Sequence, residues 1–410
     1  MKSHFTSEFF SGNRQKLREL FTGTAPIVLT ANGLLQRGGD STYAFSQDAN
    51  FWYFTGIDDP DIILVMDKDK EYLIVPDRDA NRTAFDGDVS FEHLTERSGI
   101  KTVLGEKEGW DQLAGRLRKV KHVAILAAPP AYIERYGMYT NPARARLMAK
   151  IKELNEQLEL LDLSMHAVRL RMVKQQPELA AIQEAIDITA ATIKKATSPA
   201  KRAKYQHEYE LEAAISHGFR SHGTTGHSFE PIVAGGERAC TLHNVANAGT
   251  FGKHDLVVID VGAEVEHYAA DITRTIALNH PSKRQQAVYA AVLDVQEYAF
   301  SLLRPGILLK EYEHAIELYM GEKLRELGLI KIIEHDAVRK YFPHATSHFL
   351  GLNVHDVGDY DRPLEAGNVI TVEPGIYIPE EGIGIRIEDD VVITQKGVKI
   401  LSRKLPRVLA

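Results

Sequence analysis

Apolar positions along the chain fall into two arrangements, one in each half. From the N-terminus to about residue 165, short apolar runs alternate with stretches of helical spacing. Asn13 to Phe21 reads as a helix. Ile27-Val-Leu-Thr30 and Ile62-Ile-Leu-Val-Met66 read as strands, and Glu71-Tyr-Leu-Ile-Val75 as another after a turn rich in Asp and Lys. Val120-Lys-His-Val-Ala-Ile-Leu126 is a further strand, and Arg144 to Leu161 has the spacing of one long amphipathic helix. This alternation predicts an α/β domain with its own core.

A charged bridge, His166 to Pro177, leads into the second arrangement. Pro177 suits the first turn of a helix running through Glu178 to about Thr197, and a second helix is expected over Ala203 to His217. Acidic strands follow, then helices near Lys283 to Leu303 and Lys310 to Leu327, then strands from about Val369 to Ile400. Helices and antiparallel strands sit in separate blocks, so this half reads as α+β. At 410 residues the chain exceeds the usual size of a single core. The expected division lies between 165 and 175, giving domains 1–170 and 171–410.

The acidic strands carry the chemistry. Leu256-Val-Val-Ile-Asp-Val-Gly262 runs on through Glu264-Val-Glu-His267 to Ala270-Asp-Ile-Thr273, and neighbouring antiparallel strands can bring Asp260 and Asp271 within about 5 Å. Taken alone, these two read equally well as exposed edge carboxylates. His344-Ala-Thr-Ser-His-Phe-Leu-Gly-Leu-Asn-Val-His355 places three histidines around small residues, suggesting one ligand, His348, and two proton donors or substrate contacts. Glu373 precedes the turn Pro374-Gly375. In Ile385-Arg-Ile-Glu-Asp-Asp-Val-Val-Ile393, alternation puts Arg386, Glu388 and Asp390 on one face, which an exposed edge strand would also tolerate. Gathered together, Asp260, Asp271, Glu373 and Glu388 with His348 hold more negative charge than a core accepts without cations. Five such ligands read as a site for two divalent metal ions. Oxygen-rich ligation suits Mn²⁺ foremost and leaves Zn²⁺, Co²⁺ or Fe²⁺ open. Two adjacent ions activate water and stabilise an oxyanion, which is hardware for amide hydrolysis.

Composition narrows the setting. A formal net charge of −7 with no concentrated basic face argues against nucleic acid, the Lys194 to Lys204 run reading as a solvated loop. The lone cysteine, Cys240, excludes an intrachain disulfide and a thiolate metal site, and points to a reducing cytoplasm. Cys240 itself reads as a packing residue. The N-terminus has no apolar leader core, and no stretch approaches the roughly 20 apolar residues of a membrane span.

The ordered set Asp260, Asp271, His348, Glu373, Glu388 resembles the ligand pattern of the pita-bread metallopeptidases, the family of aminopeptidase P, prolidase and methionine aminopeptidase. Gly39-Asp-Ser-Thr-Tyr-Ala-Phe-Ser-Gln-Asp-Ala-Asn-Phe-Trp-Tyr-Phe-Thr-Gly56 is similar to the signature of the aminopeptidase P N-terminal domain. Methionine aminopeptidases lack that domain and creatinase lacks the ligands, so the resemblance selects the proline-specific branch. It implies a C-terminal pita-bread catalytic domain behind a smaller α/β domain of the creatinase/aminopeptidase P type.

The resemblance also implies roles. His243 lines the site and holds the substrate or its tetrahedral intermediate. His344 and His355 flank the ligand histidine, one towards substrate and one towards proton transfer. Glu373 doubles as general acid/base, and Arg386 supports the carboxylates or reads the substrate's end. The implied activity is hydrolysis of the Xaa-Pro bond at the N-terminus of peptides with proline second, by a homodimer or homotetramer. Prolidase, which splits only Xaa-Pro dipeptides, is the close alternative, and a non-catalytic pita-bread binding module the distant one. The aromatic run Phe51-Trp-Tyr-Phe54 reads as core, or as a wall near a partner subunit's site. One departure is the short Ile378-Pro-Glu-Glu-Gly-Ile383 connection, where long aminopeptidase P chains carry a larger loop.

Overall fold

Every residue of Ile27–Thr30 is buried, which is what a short apolar run without alternation requires of a strand covered on both faces. The structure, a computed structural model, describes residues 3–78, 80–127 and 136–409. Within it Phe5–Leu170 form one compact unit, and Arg171 onward, joined by Ser3 and His4, form a second. Met1 and Lys2, at the head of the stretch read for a leader, lie outside the described residues.

The first unit is built on one mixed sheet. Its strands follow the order Val103–Gly105, Lys70–Val75, Ile63–Asp67, Ile27–Thr30, His122–Ile125 and Glu159–Asp162. Ile27–Thr30 is antiparallel to Ile63–Asp67 and parallel to His122–Ile125. Val28, Val65, Ile74 and Val123 from the sheet pack against Leu113 and Leu117 of helix Glu106–Leu117 and Ile151 of helix Ala143–Leu154. The aromatic run Phe51–Phe54 forms the middle of a short helix, Ala49–Thr55, and is core within this unit, each ring at most 1% exposed. Asp48 Oδ1 caps its first turn by accepting from the amides of Asn50 and Phe51.

The long helix expected from Arg144 to Leu161 is two elements. Helix Ala143–Leu154 stops at Asn155, which leaves helical backbone. Asn155 Nδ2 donates to the Leu117 carbonyl and its Oδ1 accepts from Gln157 N, so the chain turns into strand Glu159–Asp162, in register with His122–Ile125. Pairing with an open sheet edge outweighs helical spacing.

The second unit is α+β, with antiparallel strands in small sheets and helices Gln176–Ala196, Glu208–Ser221, Lys283–Leu302 and Leu309–Glu326. The helix expected from Ala203 begins instead at Glu208, because Glu210 Oε2 accepts from His207 N and caps that start. The charged bridge is helical over Ser164–Met172. Ile232–Gly235, Leu256–Val261 and Ile272–Ala277 form one sheet. Val369–Val372, Asp389–Thr394 and Gly397–Ile400 form another, and Gly375–Ile378 pairs with Ile383–Arg386. Among the described residues no helix is long and apolar enough to cross a membrane.

Candidate metal centre

Asp260 lies near the end of strand Leu256–Val261, paired across the sheet with Thr273. Asp271 is not on a strand. It sits between Tyr268–Ala269 and Ile272–Ala277, just beyond the Val261–Ile272 pair. The turn before it closes tightly, with Glu266 and His267 both at positive φ, as a two-residue hairpin demands. Gly262, between the two aspartates, has no room for a side chain, since a Cβ there would run into the Ala270 carbonyl.

The strand expected through Ile385 to Ile393 is broken. Ile383–Arg386 belongs to the hairpin with Gly375–Ile378, and Asp389–Thr394 to the neighbouring sheet, so Ile387 and Glu388 bridge two sheets. The break comes where Glu388 N donates to the Thr273 carbonyl at 3.1 Å, binding the crossing to a third strand. The three polar side chains therefore face different partners. Arg386 points to Asp260, Glu388 Oε2 accepts from Thr273 Oγ1 at 2.7 Å, and Asp390 Oδ2 accepts the Asp271 amide at 3.0 Å.

His348 completes the cluster. Its Nδ1 lies 3.0 Å from the Phe349 carbonyl, an acceptor only, so the ring proton belongs there and Nε2 keeps its lone pair. Nε2 stands 3.5 Å from Asp271 Oδ2 and 3.4 Å from Glu373 Oε1. One ligand atom each from Asp271, His348 and Glu388 lies within 4.8 Å of the others, an arrangement that could hold one ion.

Electrostatics shows what the cluster lacks. Burial, then the neighbouring carboxylates, hold Asp271 and Glu388 well above the ordinary range. Burial pushes Glu373 up to about 8 against the pull of Arg386. Asp260 Oδ1 and Asp271 Oδ1 are buried with no hydrogen-bond partner. Orphaned buried carboxylate oxygens beside a lone-pair imidazole nitrogen are the donor set of a divalent metal ion, and these residues fit one.

A polar chain runs away from this centre. Arg386 Nη2 donates to Asp260 Oδ2 at 2.6 Å, Nε to Thr273 Oγ1 at 3.1 Å and Nη1 to the Tyr377 hydroxyl at 2.8 Å. Tyr377 in turn lies 2.8 Å from His344 Nε2. His344 Nδ1 faces the Ala345 carbonyl, so Nε2 accepts from the tyrosine, and burial followed by the Arg386 charge holds this imidazole down to about 3. His344 Nδ1 is also 3.8 Å from Glu373 Oε2.

Tyr377 escaped the sequence reading. Its one signal is an alternation, Gly375-Ile-Tyr377-Ile378, that places a phenol on the face shared with Arg386 across the hairpin. Gly375 opposite Arg386 leaves room, for a Cβ there would stand 2.5 Å from the Tyr377 hydroxyl. The short connection is a tight turn over Pro379–Glu381, closed by Gly382 at φ 61.

The remaining histidines lie on the open side. His355 is exposed at one edge and packs its ring 4.3 Å from that of His348. Desolvation on the packed side, then the charge of His243, lower its pKa. His243 is exposed. Cys240 donates to the Ile383 carbonyl, and burial pushes its thiol up to about 11, the state of an inert packing residue.

Comparison with known proteins agrees with this architecture. The profile of metallopeptidase family M24 matches residues 180–395, and that of the aminopeptidase P N-terminal domain matches residues 10–125. Xaa-Pro aminopeptidase of Escherichia coli K12 is 34% identical, over 96% of this chain and 94% of its own. Human Xaa-Pro aminopeptidase 3 is 33% identical, over 93% of this chain and 78% of its own. Zinc-substituted E. coli aminopeptidase P in complex with product superposes with a TM-score of 0.86 at 32% identity, over 99% of this chain and 97% of the other. E. coli aminopeptidase P with the inhibitor Pro-Leu matches equally well.

Proposed function

We propose, because this chain belongs to metallopeptidase family M24 and pairs that family's pita-bread catalytic domain with an aminopeptidase P N-terminal domain, that it is an Xaa-Pro aminopeptidase. It removes the residue that precedes a proline at the N-terminus of a peptide. The supporting observation is the commitment of Arg386. A dipeptidase needs a cation to read the free carboxylate of proline, and Arg386, the candidate for that task, is 4% exposed and turns each of its three nitrogens to a partner, Asp260, Thr273 and Tyr377. A substrate that continues beyond proline carries no carboxylate there and needs no such reader.

In this reading Asp260, Asp271, His348, Glu373 and Glu388 hold two divalent ions, manganese foremost because the donors are oxygen-rich. Bound there, the ions supply an acidified water and an electrophilic hold on the scissile carbonyl. Glu373, half-buried beside His344, carries the proton from the water to the proline nitrogen. His243 and His355, on the open side, stabilise the tetrahedral intermediate. Arg386 keeps Asp260 oriented. We place the domain division at residue 170, the protein in the cytoplasm on its single cysteine, and the working state as a homodimer or homotetramer.

The test compares Xaa-Pro with Xaa-Pro-Yaa-Zaa under Mn²⁺ and then under Zn²⁺, Co²⁺ and Fe²⁺. Cleavage of the tetrapeptide is expected, and exclusive cleavage of the dipeptide makes the chain a prolidase.

A further inference from the structure

Behind the histidine loop lies a buried group of charges that the reading above does not use. Asp356 directly follows His355. Its Oδ1 accepts from Arg171 Nη2, and its Oδ2 accepts from Lys174 Nζ at 2.9 Å. Lys174 Nζ also donates to the Arg171 carbonyl at 2.7 Å. The side chains of Arg171, Lys174 and Asp356 are at most 2% exposed. Glu178, equally buried in the first turn of helix Gln176–Ala196, accepts from Gln175 N at 2.8 Å and from the Tyr268 hydroxyl at 2.9 Å. Two cations and two carboxylates thus make a balanced set out of water. Apolar residues of similar volume commonly stabilise a core as well as such a set does, so its geometry needs an explanation.

The geometry lies in what the set joins. The first half of the histidine loop is held by a strand, with Thr371 N donating to the His348 carbonyl at 3.0 Å and Leu350 N to the Val369 carbonyl at 3.1 Å. The second half folds back on the first, with Asp356 N donating to the Phe349 carbonyl at 2.8 Å, and its far end carries the Asp356 carboxylate into the buried cations. Gly351 makes room for this. A Cβ there would run into Asp356 Oδ2 and stand 2.8 Å from Lys174 Nζ. Glu178 extends the set to Tyr268, three residues before Asp271, and Ala269 N donates to the Gly351 carbonyl at 2.9 Å.

We propose that Arg171, Lys174 and Asp356 act as positioning residues for His355, locking residues 352–356 so that its imidazole stays against His348. The proposal rests on the role given to His355 under the proposed function. Strand Val369–Val372 fixes the backbone around His348 without help from the Asp356 side chain, so the effect falls on His355 rather than on metal binding.

Asp356→Asn and Lys174→Met, in the full-length metal-loaded protein, test this with a tetrapeptide substrate. Turnover is expected to fall about 10- to 100-fold while KM and bound metal stay at wild-type values. Combined with His355→Ala, either substitution should add no further loss, because both act through one group. An equal loss in both backgrounds, or a loss that tracks missing metal, overturns the proposal. Asp356→Asn strands two buried cations. Lys174→Met, which keeps the Arg171 pair, decides the matter if the former does not fold. A second readout does not depend on activity. In zinc-loaded protein the His355 ring resonance, assigned by its loss in His355→Ala, is expected to be single in the wild type and to broaden or split in the variants. An unchanged resonance overturns the positioning role, whereas a wild type unable to cleave the tetrapeptide overturns only the proposed function.

Discussion

Arg386 Nη2 and Asp260 Oδ2 meet across 2.6 Å, with the two side chains 5% and 11% exposed. The same guanidinium reaches Thr273, which holds Glu388, and Tyr377, which holds His344. One arginine therefore ties two candidate ligands and one candidate site histidine into a single network.

Arg386→Ala leaves Asp260 buried without its cation, and breaking a buried pair in this way costs about 3–5 kcal/mol. Lysine should not rescue it, since one ammonium cannot serve three acceptors that diverge from a planar fork. Denaturant unfolding and tetrapeptide turnover check both variants. A lysine variant equal to the wild type in both would show that the fork is dispensable.

Glu388→Ala removes one of the three groups whose ligand atoms lie within 4.8 Å of one another and leaves Thr273 Oγ1 without its acceptor. Bound metal, measured by elemental analysis, and activity should vanish together. Wild-type turnover in the purified variant would refute the ligand assignment.

Gly262→Ala should be among the most damaging small changes in the chain. The atom it strikes is the Ala270 carbonyl oxygen, backbone that cannot rotate away, so the hairpin carrying Asp271 must shift. A loss of the order of 3 kcal/mol in unfolding free energy is expected, with metal affinity falling alongside. A variant as stable as the wild type would mean that the two strands separate more easily than their register implies.

Asp356 gives a pH signature. Burial alone would raise its carboxyl, but Arg171 and Lys174 outweigh burial and hold it below its ordinary 3.8. A carboxyl with a lower pKa folded than unfolded binds fewer protons in the folded state. Its stabilisation is complete above the unfolded value and is lost as the pH falls through the folded one. In metal-free protein, the stability gap between wild type and Asp356→Asn should stay flat from neutrality down to about pH 4 and shrink below it. A gap that persists unchanged to about pH 3 would contradict the ion pairs.

Much of the architecture was legible locally. Ile27–Thr30 and Lys283–Leu302 stand within a residue or so of their expected places, because an apolar run bounded by turn residues and an amphipathic period each demand one backbone conformation. Legibility failed where a distant partner decided. Asn155 ends a helix by reaching Leu117, and Ile387–Glu388 breaks an apparent strand because two sheets and Thr273 compete for it. The spacing of residues carries no trace of these partners.

Alone, the sequence determined the two-part architecture and, through its ordered carboxylates, its histidines and its N-terminal signature, the resemblance to proline-specific metallopeptidases. Only the tertiary structure decided how the polar groups are spent. Alternation assigns a side chain to a face, but hydrogen-bond partners more than 100 residues apart are set by how strands and helices pack. That is why the ties of Arg386 to Asp260 and Thr273 could not be read from the sequence. It is also why the burial of Arg171 and Lys174 against Asp356, one residue beyond a candidate histidine, could not be read from the sequence.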